Sequence, residues 1–459
     1  MATKTAIQSV NPATGKPLKS YKTLGRKQLF AKIEATQEAQ AVWSDTNFGF
    51  RQNLLIAAGK LLREHQDEYA MLMVEEMGKP IGDARAEVEK CAWACEYYGQ
   101  NGAQFLADEE VVTDAKKSLV CFQPLGLVLA VMPWNFPFWQ VFRFAAPALM
   151  AGNGCLLKHA SNVPGCAAAI EGLFERAGFP KGIFTNLHIP SKDVAKVIRH
   201  PLVKAVTLTG SEPAGRSVAK LAGECLKKTV LELGGSDPYL VLADADLELA
   251  AEACKASRLI NAGQSCISAK RFIVEEAVYG DFLKLFKEKM AAMKYGDPSD
   301  EKTVMGPMAR QDLRDELHGQ VEKSIAAGAK CVLGGKIPAR KGAYYPPTIL
   351  TDVKPGMPAY HEELFGPVAA VIKAKDEDDA IRIANDTDFG LGAAVFTANE
   401  ERGLWLAKEK LQAGSCFVNS FVKSDPRLPF GGIKHSGYGR ELSHFGIREF
   451  VNVKTVWVQ

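Results

Sequence analysis

Residues 204–215 read KAVTLTGSEPAG, a short apolar strand pattern that leads through a polar, glycine-containing turn into a helical segment. The same alternation of strand and helix patterns extends from GCLLKHAS at residues 154–161 to KTVLELGG at residues 228–235. Apolar strands that alternate with helices of ten to fifteen residues form βαβ units and a mostly parallel sheet. The stretch therefore predicts an α/β domain with the architecture of a nucleotide-binding fold.

A second α/β block follows Gly235 and extends to about residue 418. Residues 28–107, before the first block, have a helical pattern. The tail EFVNVKTVWV, residues 449–458, alternates polar and apolar residues as a strand does. A chain of 459 residues exceeds what one hydrophobic core usually serves, so we expect two or three domains.

Composition excludes several classes of protein. With 47% hydrophobic and 24% charged residues, the chain has the composition of a globular protein. The net charge is only +3, from 56 basic and 53 acidic residues, so we expect no nucleic-acid partner. We expect no membrane partner and a cytoplasmic location, since no run of eighteen apolar residues occurs and residues 1–16 lack a signal-peptide pattern. Ten cysteines without a CxxC spacing predict reduced thiols, and we expect no metal site because no His/Cys cluster occurs.

The first candidate for chemistry is Cys266, in the stretch NAGQSCIS at residues 261–268. Gly263 breaks the preceding helical pattern, which places the thiol at the end of an element rather than on an apolar helix face. A nucleophilic thiolate needs partial exposure and nearby hydrogen-bond donors, and this position permits both. The same residues also permit a small cysteine that only fills the core.

Two polar residues in apolar surroundings are further candidates. Glu232 interrupts the strand pattern TVLEL before two glycines, so it is either a solvent-facing residue at a strand end or a general base. Asn135 lies between two prolines in VMPWNFPFW, residues 131–139. Since the prolines restrict the backbone, the Asn135 amide either donates to a developing oxyanion or belongs to an aromatic packing corner.

Gly210 and Gly215, in the opening stretch, have the spacing GxxxxG at a strand-to-helix turn. Small residues there let a pyrophosphate approach the helix N-terminus. An ordinary glycine turn would have the same sequence, and no Gly-Lys-Ser or Gly-Lys-Thr follows as in a P-loop.

Seven motifs, in chain order, resemble the NAD(P)-dependent aldehyde dehydrogenase superfamily, and the resemblance covers essentially the whole chain. The motifs are PWNFP (133–137), LLKHAS (156–161), TGSEPAG (209–215), LELGG (231–235), NAGQSC (261–266), EELFGP (362–367) and PFGGIKHSG (429–437). Each motif alone is a weak signal. Seven in one family's order do not arise by chance similarity.

The resemblance implies the oxidation of an aldehyde to an acid through a cysteine adduct. Cys266 matches the family nucleophile, which forms a thiohemiacetal and then a thioester. Asn135, together with the backbone N–H of Cys266, matches the oxyanion hole. Glu232 matches the general base that activates water to release the acid.

The resemblance also implies a dinucleotide cofactor, NAD or NADP. Lys158 and Glu363 match residues that hold the ribose hydroxyls, and Phe365 lies near the nicotinamide end. The other cofactor-binding residues implied are Trp134, Ser161, Gly210, Ser211, Gly215 and Leu233. Many NAD-preferring members carry a Glu at position 161 that repels a 2′-phosphate, so Ser161 admits NADP. His159 replaces the usual Pro after the lysine.

Arg143 is the residue from which we predict the substrate class. It is an isolated cation in the apolar stretch FPFWQVFRFAAPALM, and an Arg at this family position resembles the branch that oxidises semialdehydes, where it binds the distal carboxylate. A surface Arg whose head reaches solvent is the alternative. Ser424 and Phe136 match further substrate-binding positions. A second Arg of some members is Ile260 here, and Arg427 is a candidate substitute. The expected substrate is succinate semialdehyde, and a broader specificity for small semialdehydes such as glutarate semialdehyde is the alternative.

The resemblance divides the chain into three regions. Residues 1–113 and 132–231 form a Rossmann-like dinucleotide-binding domain, and residues 232–442 form the catalytic domain. Residues 114–131 and 443–459 are the strands of a small oligomerisation element, so we expect a homodimer or a homotetramer. The predicted fold class is α/β, with two parallel-sheet domains and this small β element.

Overall fold

Two parallel-rich β-sheets, each with a hydrophobic core on both faces, organise the computed structural model, which describes residues 6–459. Residues 1–5, the expected start of the dinucleotide-binding domain, lie outside the described residues. Within residues 6–459, no helix combines the length and the apolar character needed to cross a bilayer.

The described chain alternates strands and helices for most of its length. The strands are β1 (Ala6–Val10), β2 (Pro17–Lys22), β3 (Glu109–Glu110), β4 (Lys117–Pro124), β5 (Leu127–Met132), β6 (Gly154–His159), β7 (Phe184–Asn186), β8 (Val203–Thr209), β9 (Lys228–Glu232), β10 (Pro238–Val241), β11 (Arg271–Glu275), β12 (Lys330–Leu333), β13 (Thr348–Thr351), β14 (Val368–Ala374), β15 (Gly392–Phe396), β16 (Ser415–Val418), β17 (Gly437–Tyr438) and β18 (Val451–Val458). The α-helices are α1 (Arg26–Ser44), α2 (Phe48–Glu64), α3 (Gln66–Met77), α4 (Ile81–Phe105), α5 (Trp139–Met150), α6 (Pro164–Arg176), α7 (Val194–Ile198), α8 (Glu212–Glu224), α9 (Leu247–Leu259), α10 (Tyr279–Ala291), α11 (Gln311–Ala326), α12 (Pro358–His361), α13 (Glu377–Asn385), α14 (Glu400–Trp405) and α15 (Ser443–Arg448).

The six-stranded sheet has the strand order β17-β9-β8-β5-β6-β7. Its strands run parallel except for the two-residue β17, which pairs antiparallel with β9. Strands buried on both faces are typical of parallel sheets covered by helices, and β5 and β6 are buried along nearly their whole length. The α/β fold predicted from residues 154–235 is confirmed.

The seven-stranded sheet has the order β12-β13-β14-β11-β10-β15-β16 and is parallel except for the edge strand β12. One face packs against α9 and α10, and the other packs against α11, α12 and α13, with a separate hydrophobic cluster on each side. The second α/β block expected after Gly235 is therefore built around cores of its own.

A three-stranded antiparallel sheet, β18-β4-β3, joins the tail of the chain to the region before the first large sheet. Strand β18 pairs with β4 over eight residues. The grouping of residues 114–131 with the tail is wrong in part, because β5 lies inside the six-stranded sheet between β8 and β6. Its sequence LVLAVM is apolar throughout, which suits a strand that is buried on both faces.

The carboxyl ends of β5, β8 and β9 meet at one edge of the six-stranded sheet because these strands are parallel neighbours. Asn135 follows β5, Gly210 follows β8, and Glu232 is the last residue of β9. Open α/β sheets bind their ligands outside this edge. The fold thus brings together three candidates that are up to about a hundred residues apart in the chain.

Candidate active site

Two cavities lie at this edge, and Cys266 and Gln140 line both of them. The small cavity has a volume of about 190 Å³ and contains Arg143. The large cavity has a volume of about 280 Å³ and contains Gly210. Cys266 is half-buried, so groups bound in the two cavities would meet at this residue.

The loop that carries Cys266 has an unusual backbone. Asn261 and Ala262 have φ of 52° and 54°, and Gly263 follows at 74°, a left-handed region that L side chains rarely adopt. A Cβ on Gly263 would lie 2.3 Å from the carbonyl carbon and oxygen of Gly366, so only glycine lets the two loops pack this closely. The NAGQSC loop is therefore held against the EELFGP loop.

A network of amides fixes Asn135 against the same loop. Asn261 Nδ2 donates to the Asn135 carbonyl oxygen at 2.7 Å, and Asn135 Nδ2 donates to the Gln264 carbonyl oxygen at 3.1 Å. Gln264 Nε2 donates to the Asn261 carbonyl oxygen at 3.0 Å, and Gln264 Oε1 accepts from the Ala309 N–H at 2.8 Å. These bonds hold the Asn135 side chain beside the loop of the candidate nucleophile.

Lys270 is a buried cation next to Cys266. Its ammonium donates to the carbonyl oxygens of Ser265 at 2.8 Å and Cys266 at 2.6 Å, and it lies 3.3 Å from Glu363 Oε1. Burial raises the pKa of the Cys266 thiol to about 12, although the positive charges of Lys270 and Arg143 oppose the rise. The thiol is therefore protonated at neutral pH and must lose its proton before it can act as a nucleophile.

Glu232 is buried at the end of β9 and lines neither cavity. Its carboxyl group lies against Gly431, where a Cβ would be 2.7 Å from Glu232 Oε1. Burial raises the pKa of Glu232 well above its usual value, and the charge of Glu441 raises it further, whereas Arg143 opposes the rise. Burial thus favours the protonated form of Glu232, and in this conformation its carboxyl group lies outside both cavities.

Arg143 is buried in α5 and lines the small cavity, so the alternative of a surface Arg is wrong. Its Nε forms an ion pair with Glu441 Oε2, and its Nη2 donates to Thr209 Oγ1 at 3.3 Å. The guanidinium also lies 4.6 Å from the centre of the Phe430 ring. The protein itself thus compensates part of the Arg143 charge.

The start of α5 is anchored by Glu87 of α4. Glu87 Oε1 accepts from the backbone N–H groups of Phe138 and Trp139, both at 2.9 Å, and Glu87 Oε2 pairs with Lys79. A carboxylate is favourable at a helix N-terminus. The Lys79 ammonium lies 3.8 Å from the centre of the Phe136 ring. Phe136 lines the small cavity, and its substrate-binding role stays a prediction.

Ser424 and Ile260 also line the small cavity. The Ser424 hydroxyl accepts from Lys90 Nζ at 2.8 Å. Arg427 does not line the cavity: it is exposed, and its guanidinium is paired with Asp425 at 2.6 Å. The hypothesis that Arg427 substitutes for a second cavity Arg is therefore wrong, because Asp425 holds its charge at the surface.

Most residues predicted to bind the cofactor line the large cavity. They are Trp134, Gly210, Ser211, Leu233, Glu363 and Phe365. The rings of Trp134 and Phe365 meet edge to face, with their centres 5.8 Å apart. The large cavity thus has aromatic walls on one side and a strand-to-helix turn on another.

Three predicted cofactor residues are not on the cavity wall. Gly215 lies beneath it, where a Cβ would be 2.6 Å from Leu233 Cδ2, so glycine lets α8 pack closely against that residue. Lys158 is near the carboxyl end of β6, and its ammonium donates to Ser191 Oγ at 3.3 Å. Ser161 is exposed just after that strand. Their predicted roles stay predictions.

His159 departs from the family pattern and acts within the protein. Its Nε2–H donates to the Pro137 carbonyl oxygen at 2.8 Å, and its Nδ1 accepts from the Ala160 N–H at 2.9 Å. Burial lowers the pKa of His159 to about 4, so the ring is neutral. His159 therefore ties the end of β6 to the proline-bracketed loop of Asn135.

Sequence reasoning missed several residues that shape the site. They are Lys90, Lys270 and Glu441, and His159 was noted only as a departure from the family pattern, without a role. Lys90 alone has a readable pattern, because with Asp83, Ala86 and Glu87 it forms an i, i+3, i+4, i+7 row of α4 that lines the small cavity. A polar row of this kind is typical of a solvated helix face, and only the fold shows that it borders a cavity.

The whole chain is similar to known enzymes. Residues 1–456 match the model of the aldehyde dehydrogenase family. Over 453 residues the chain is 51% identical to the probable succinate-semialdehyde dehydrogenase, NADP(+), of Synechocystis sp., with 99% of this chain and 100% of the relative covered. It is 48% identical to the succinate semialdehyde dehydrogenase, NAD(P)+, Sad of Escherichia coli, with 98% of this chain and 97% of the relative covered.

A solved structure is also similar over nearly the whole chain. The succinic semialdehyde dehydrogenase from Streptococcus pyogenes, in complex with NADP+ as the cofactor, superposes with a TM-score of 0.97. The two sequences are 38% identical, and the match covers 99% of this chain and 100% of that chain. The similarity therefore extends over both large sheets and the small one.

Proposed function

The chain belongs to the aldehyde dehydrogenase family, and we propose that it oxidises succinate semialdehyde to succinate, with NADP+ or NAD+ as hydride acceptor and water as acyl acceptor. The observation that carries this proposal is the meeting of two cavities at Cys266. One cavity has the groups that suit a dinucleotide, and the other has a buried cation that suits a carboxylate. Two relatives of similar length, from Synechocystis and E. coli, carry the same activity in their names.

The large cavity suits a dinucleotide. Ser211 is the N-cap of α8 and follows Gly210, so the helix offers backbone N–H groups and a partial positive charge to a pyrophosphate. Glu363 is held by the Gly235 N–H, which donates to Oε1 at 3.0 Å, and its carboxylate is suited to accept from ribose hydroxyls. Lys158, near the end of β6, is suited to the same task. When bound, NAD(P)+ supplies the acceptor for the hydride.

Cys266 adds to the aldehyde carbon in the first chemical step. Its protonated thiol gives up a proton to a base as the sulfur–carbon bond forms, and the carbonyl oxygen becomes an oxyanion. Asn135 Nδ2 carries two hydrogens and uses one for the Gln264 carbonyl, so the other is available to the oxyanion, together with the Cys266 N–H. Because the amide network already holds Asn135, this donor is oriented before the substrate binds.

We assign Glu232 as the general base of the second step. Loss of hydride from the adduct leaves a thioester on Cys266. Once ionised, Glu232 accepts a proton from the attacking water, the carbon–sulfur bond breaks, and the acid leaves while the sulfur regains a proton. Its raised pKa makes it a better base than an exposed Glu. Because Glu232 lines neither cavity in its buried conformation, a rotamer change is part of this assignment.

The small cavity supports a substrate that carries a distal carboxylate. Arg143 and Ser424 line it, and a guanidinium and a hydroxyl bind carboxylates through charge-assisted hydrogen bonds. Phe136 and Phe430 supply apolar surface for the short carbon chain between the two ends of the substrate.

A broader-specificity aldehyde dehydrogenase that also uses glutarate semialdehyde is the second candidate. Ile260 favours it, because this apolar and partly exposed side chain lines the small cavity where some relatives place a cation. A cavity wall without that charge restricts the position of the carboxylate less strongly.

With β5 moved to the six-stranded sheet, each of the three sheets corresponds to one of the proposed regions. The six-stranded sheet would bind the cofactor, and the seven-stranded sheet would carry the catalytic cysteine. The three-stranded sheet would join subunits into a homodimer or homotetramer, since β18 exposes Val453, Trp457 and Val458. A cytoplasmic location suits the reaction, because the catalytic thiol must stay reduced and all ten cysteines are free.

Steady-state kinetics of the full-length enzyme test the proposal. We would measure kcat/KM for succinate semialdehyde, glutarate semialdehyde and butanal with each cofactor. We expect succinate semialdehyde to exceed butanal on the order of tenfold or more, the contribution of a charged hydrogen bond. Equal values for these two would contradict the substrate, whereas equal values for the two semialdehydes would favour the second candidate.

A further inference from the structure

Four basic residues line the small cavity, and three of them are either paired with a carboxylate or exposed. Lys79 and Arg143 are paired with buried carboxylates. Lys423 is exposed. The fourth is Lys90, which forms no ion pair with any residue of the described chain. Lys90 is therefore the cavity cation whose charge the protein leaves uncompensated.

Lys90 is held in place by neutral groups. Its ammonium donates to Ser424 Oγ at 2.8 Å and lies 4.5 Å from the centre of the Trp139 ring. Trp139 and Ser424 line the same cavity. An ammonium has three N–H donors, so the contact with Ser424 leaves donors for another acceptor. The ammonium and the hydroxyl thus lie together as a pair of hydrogen-bonding groups at one place in the cavity.

The neighbouring acids do not cancel the charge of Lys90. Glu87, on the same helix, is paired with Lys79. Asp425 is paired with Arg427. Burial, together with the charge of Arg143, lowers the pKa of Lys90 to about 8, although the charges of Asp425 and Glu87 oppose the shift. A half-buried cation without a partner is costly, so an anion that enters the cavity is bound favourably.

We propose that Lys90 determines substrate specificity by binding, together with Ser424, the distal carboxylate of the semialdehyde. The assignment rests on the proposed function and goes further, because it identifies Lys90 of α4 as the main cation that binds the carboxylate. Arg143 shares its charge with Glu441, and Ile260 contributes none. Arg143 then orients the carboxylate, while Lys90 supplies the uncompensated charge that an aldehyde without a carboxylate cannot use.

Substitution of Lys90 by residues of similar length tests the proposal in the full-length enzyme. Lys90→Met removes the charge and keeps the apolar stem, and Lys90→Arg restores a charge. Lys423→Met is the matched control, since Lys423 lines the same cavity but is exposed. Each variant is assayed with succinate semialdehyde and with butanal, and its thermal unfolding is measured.

Lys90→Met should lower kcat/KM for succinate semialdehyde on the order of tenfold to a hundredfold, through KM rather than kcat. Its kcat/KM for butanal should stay within about twofold, and Lys90→Arg should recover much of the loss. The proposal is overturned if Lys90→Met loses no more than Lys423→Met, or if both substrates lose equally. If the wild type itself does not prefer succinate semialdehyde, the proposed function fails together with this assignment, whereas a preference that survives in Lys90→Met overturns the assignment alone.

The pH dependence gives a second readout. In the free enzyme, the ratio of kcat/KM for succinate semialdehyde to that for butanal should fall as pH rises through about 8, where Lys90 loses its proton. The charged or titratable groups that act on Lys90 are Arg143 of α5, Asp425 of the loop between β16 and β17, and Glu87 and Cys91 of α4. In Lys90→Arg the ratio should stay constant over the same range, since Arg keeps its charge. A ratio that falls identically in both enzymes would assign the titration to another group and overturn the proposal.

Discussion

Arg143 and Glu441 form an ion pair in which both side chains are almost fully buried, 2% and 4% exposed. The same Glu441 is the charged neighbour that contributes most to raising the pKa of Glu232. Arg143, which lines the small cavity, and Glu232, the candidate general base, therefore both interact with the carboxylate of Glu441. A change at Arg143 or Glu441 should therefore shift the pKa of Glu232.

Removal of Arg143 should lower the stability of the folded protein. Arg143→Met leaves Glu441 buried without its partner, and we expect the free energy of unfolding to fall by about 3–5 kcal/mol. Urea denaturation measures this loss. The double variant with Glu441→Gln should recover much of it, because the unpaired charge is gone. If the losses of stability in Arg143→Met and in Glu441→Gln alone simply add in the double variant, the two side chains are not coupled.

Glu232→Gln should separate the two chemical steps. The amide cannot accept a proton from water, so the thioester forms but is hydrolysed slowly. We expect one equivalent of reduced cofactor to appear in a burst, followed by a steady-state rate at least about a hundredfold below that of the wild type. Stopped-flow absorbance measures both phases, and Glu224→Gln, on the exposed side of α8, is the control. A variant with an unchanged steady-state rate would remove Glu232 from the mechanism.

The reactivity of Cys266 should follow its high pKa. Only the thiolate is alkylated, so without cofactor the rate with iodoacetamide should rise about tenfold per pH unit between pH 7 and 9 without reaching a plateau. Lys270→Met removes the charge that lowers the pKa of this thiol most, and should slow the reaction at every pH. A plateau near pH 7 in the wild type would contradict a thiol pKa of about 12.

His159 should act on catalysis through position. His159→Ala removes the donor to the Pro137 carbonyl and loosens the loop of Asn135, so kcat should fall about fivefold to tenfold, the contribution of one hydrogen bond. His159→Gln retains a donor and should recover most of the rate. Because the pKa of His159 is lowered to about 4, its ring stays neutral, and it should add no inflection to the kcat profile between pH 5 and 9. An equal fall in His159→Gln and His159→Ala would rule out the hydrogen bond.

Ser161→Glu tests the binding of the adenosine end. The new carboxylate, exposed just after β6, would repel a 2′-phosphate and not a 2′-hydroxyl. We expect kcat/KM for NADP+ to fall by at least about tenfold, with a change of less than about threefold for NAD+. Ser161→Gln is the control for size, because Gln has the same shape as Glu without the charge. A parallel loss with both cofactors would place the 2′-position elsewhere.

The local sequence determined the elements and many of the site residues. The alternation of apolar strands with helices in residues 154–235 was enough to predict a parallel sheet, because strand and helix periods are read from neighbouring residues. The assignment of residues 114–131 was wrong in part because β5, a short apolar run, is equally compatible with a central strand and with a subunit contact. Its neighbours β6 and β8 decide between the two, and they lie far along the chain.

The charges of the site were decided only by the tertiary structure. Whether a cation is paired depends on carboxylates that are remote in sequence. Glu441 forms an ion pair with Arg143, whereas Lys90 donates to the hydroxyl of Ser424 and forms no ion pair in the described chain. The pKa values of Cys266 and Glu232 depend likewise on burial, which no motif states. The sequence by itself therefore determined which residue types are present and in which order, and the packing of two sheets determined which charges remain free at Cys266, because electrostatic interactions act across space rather than along the chain.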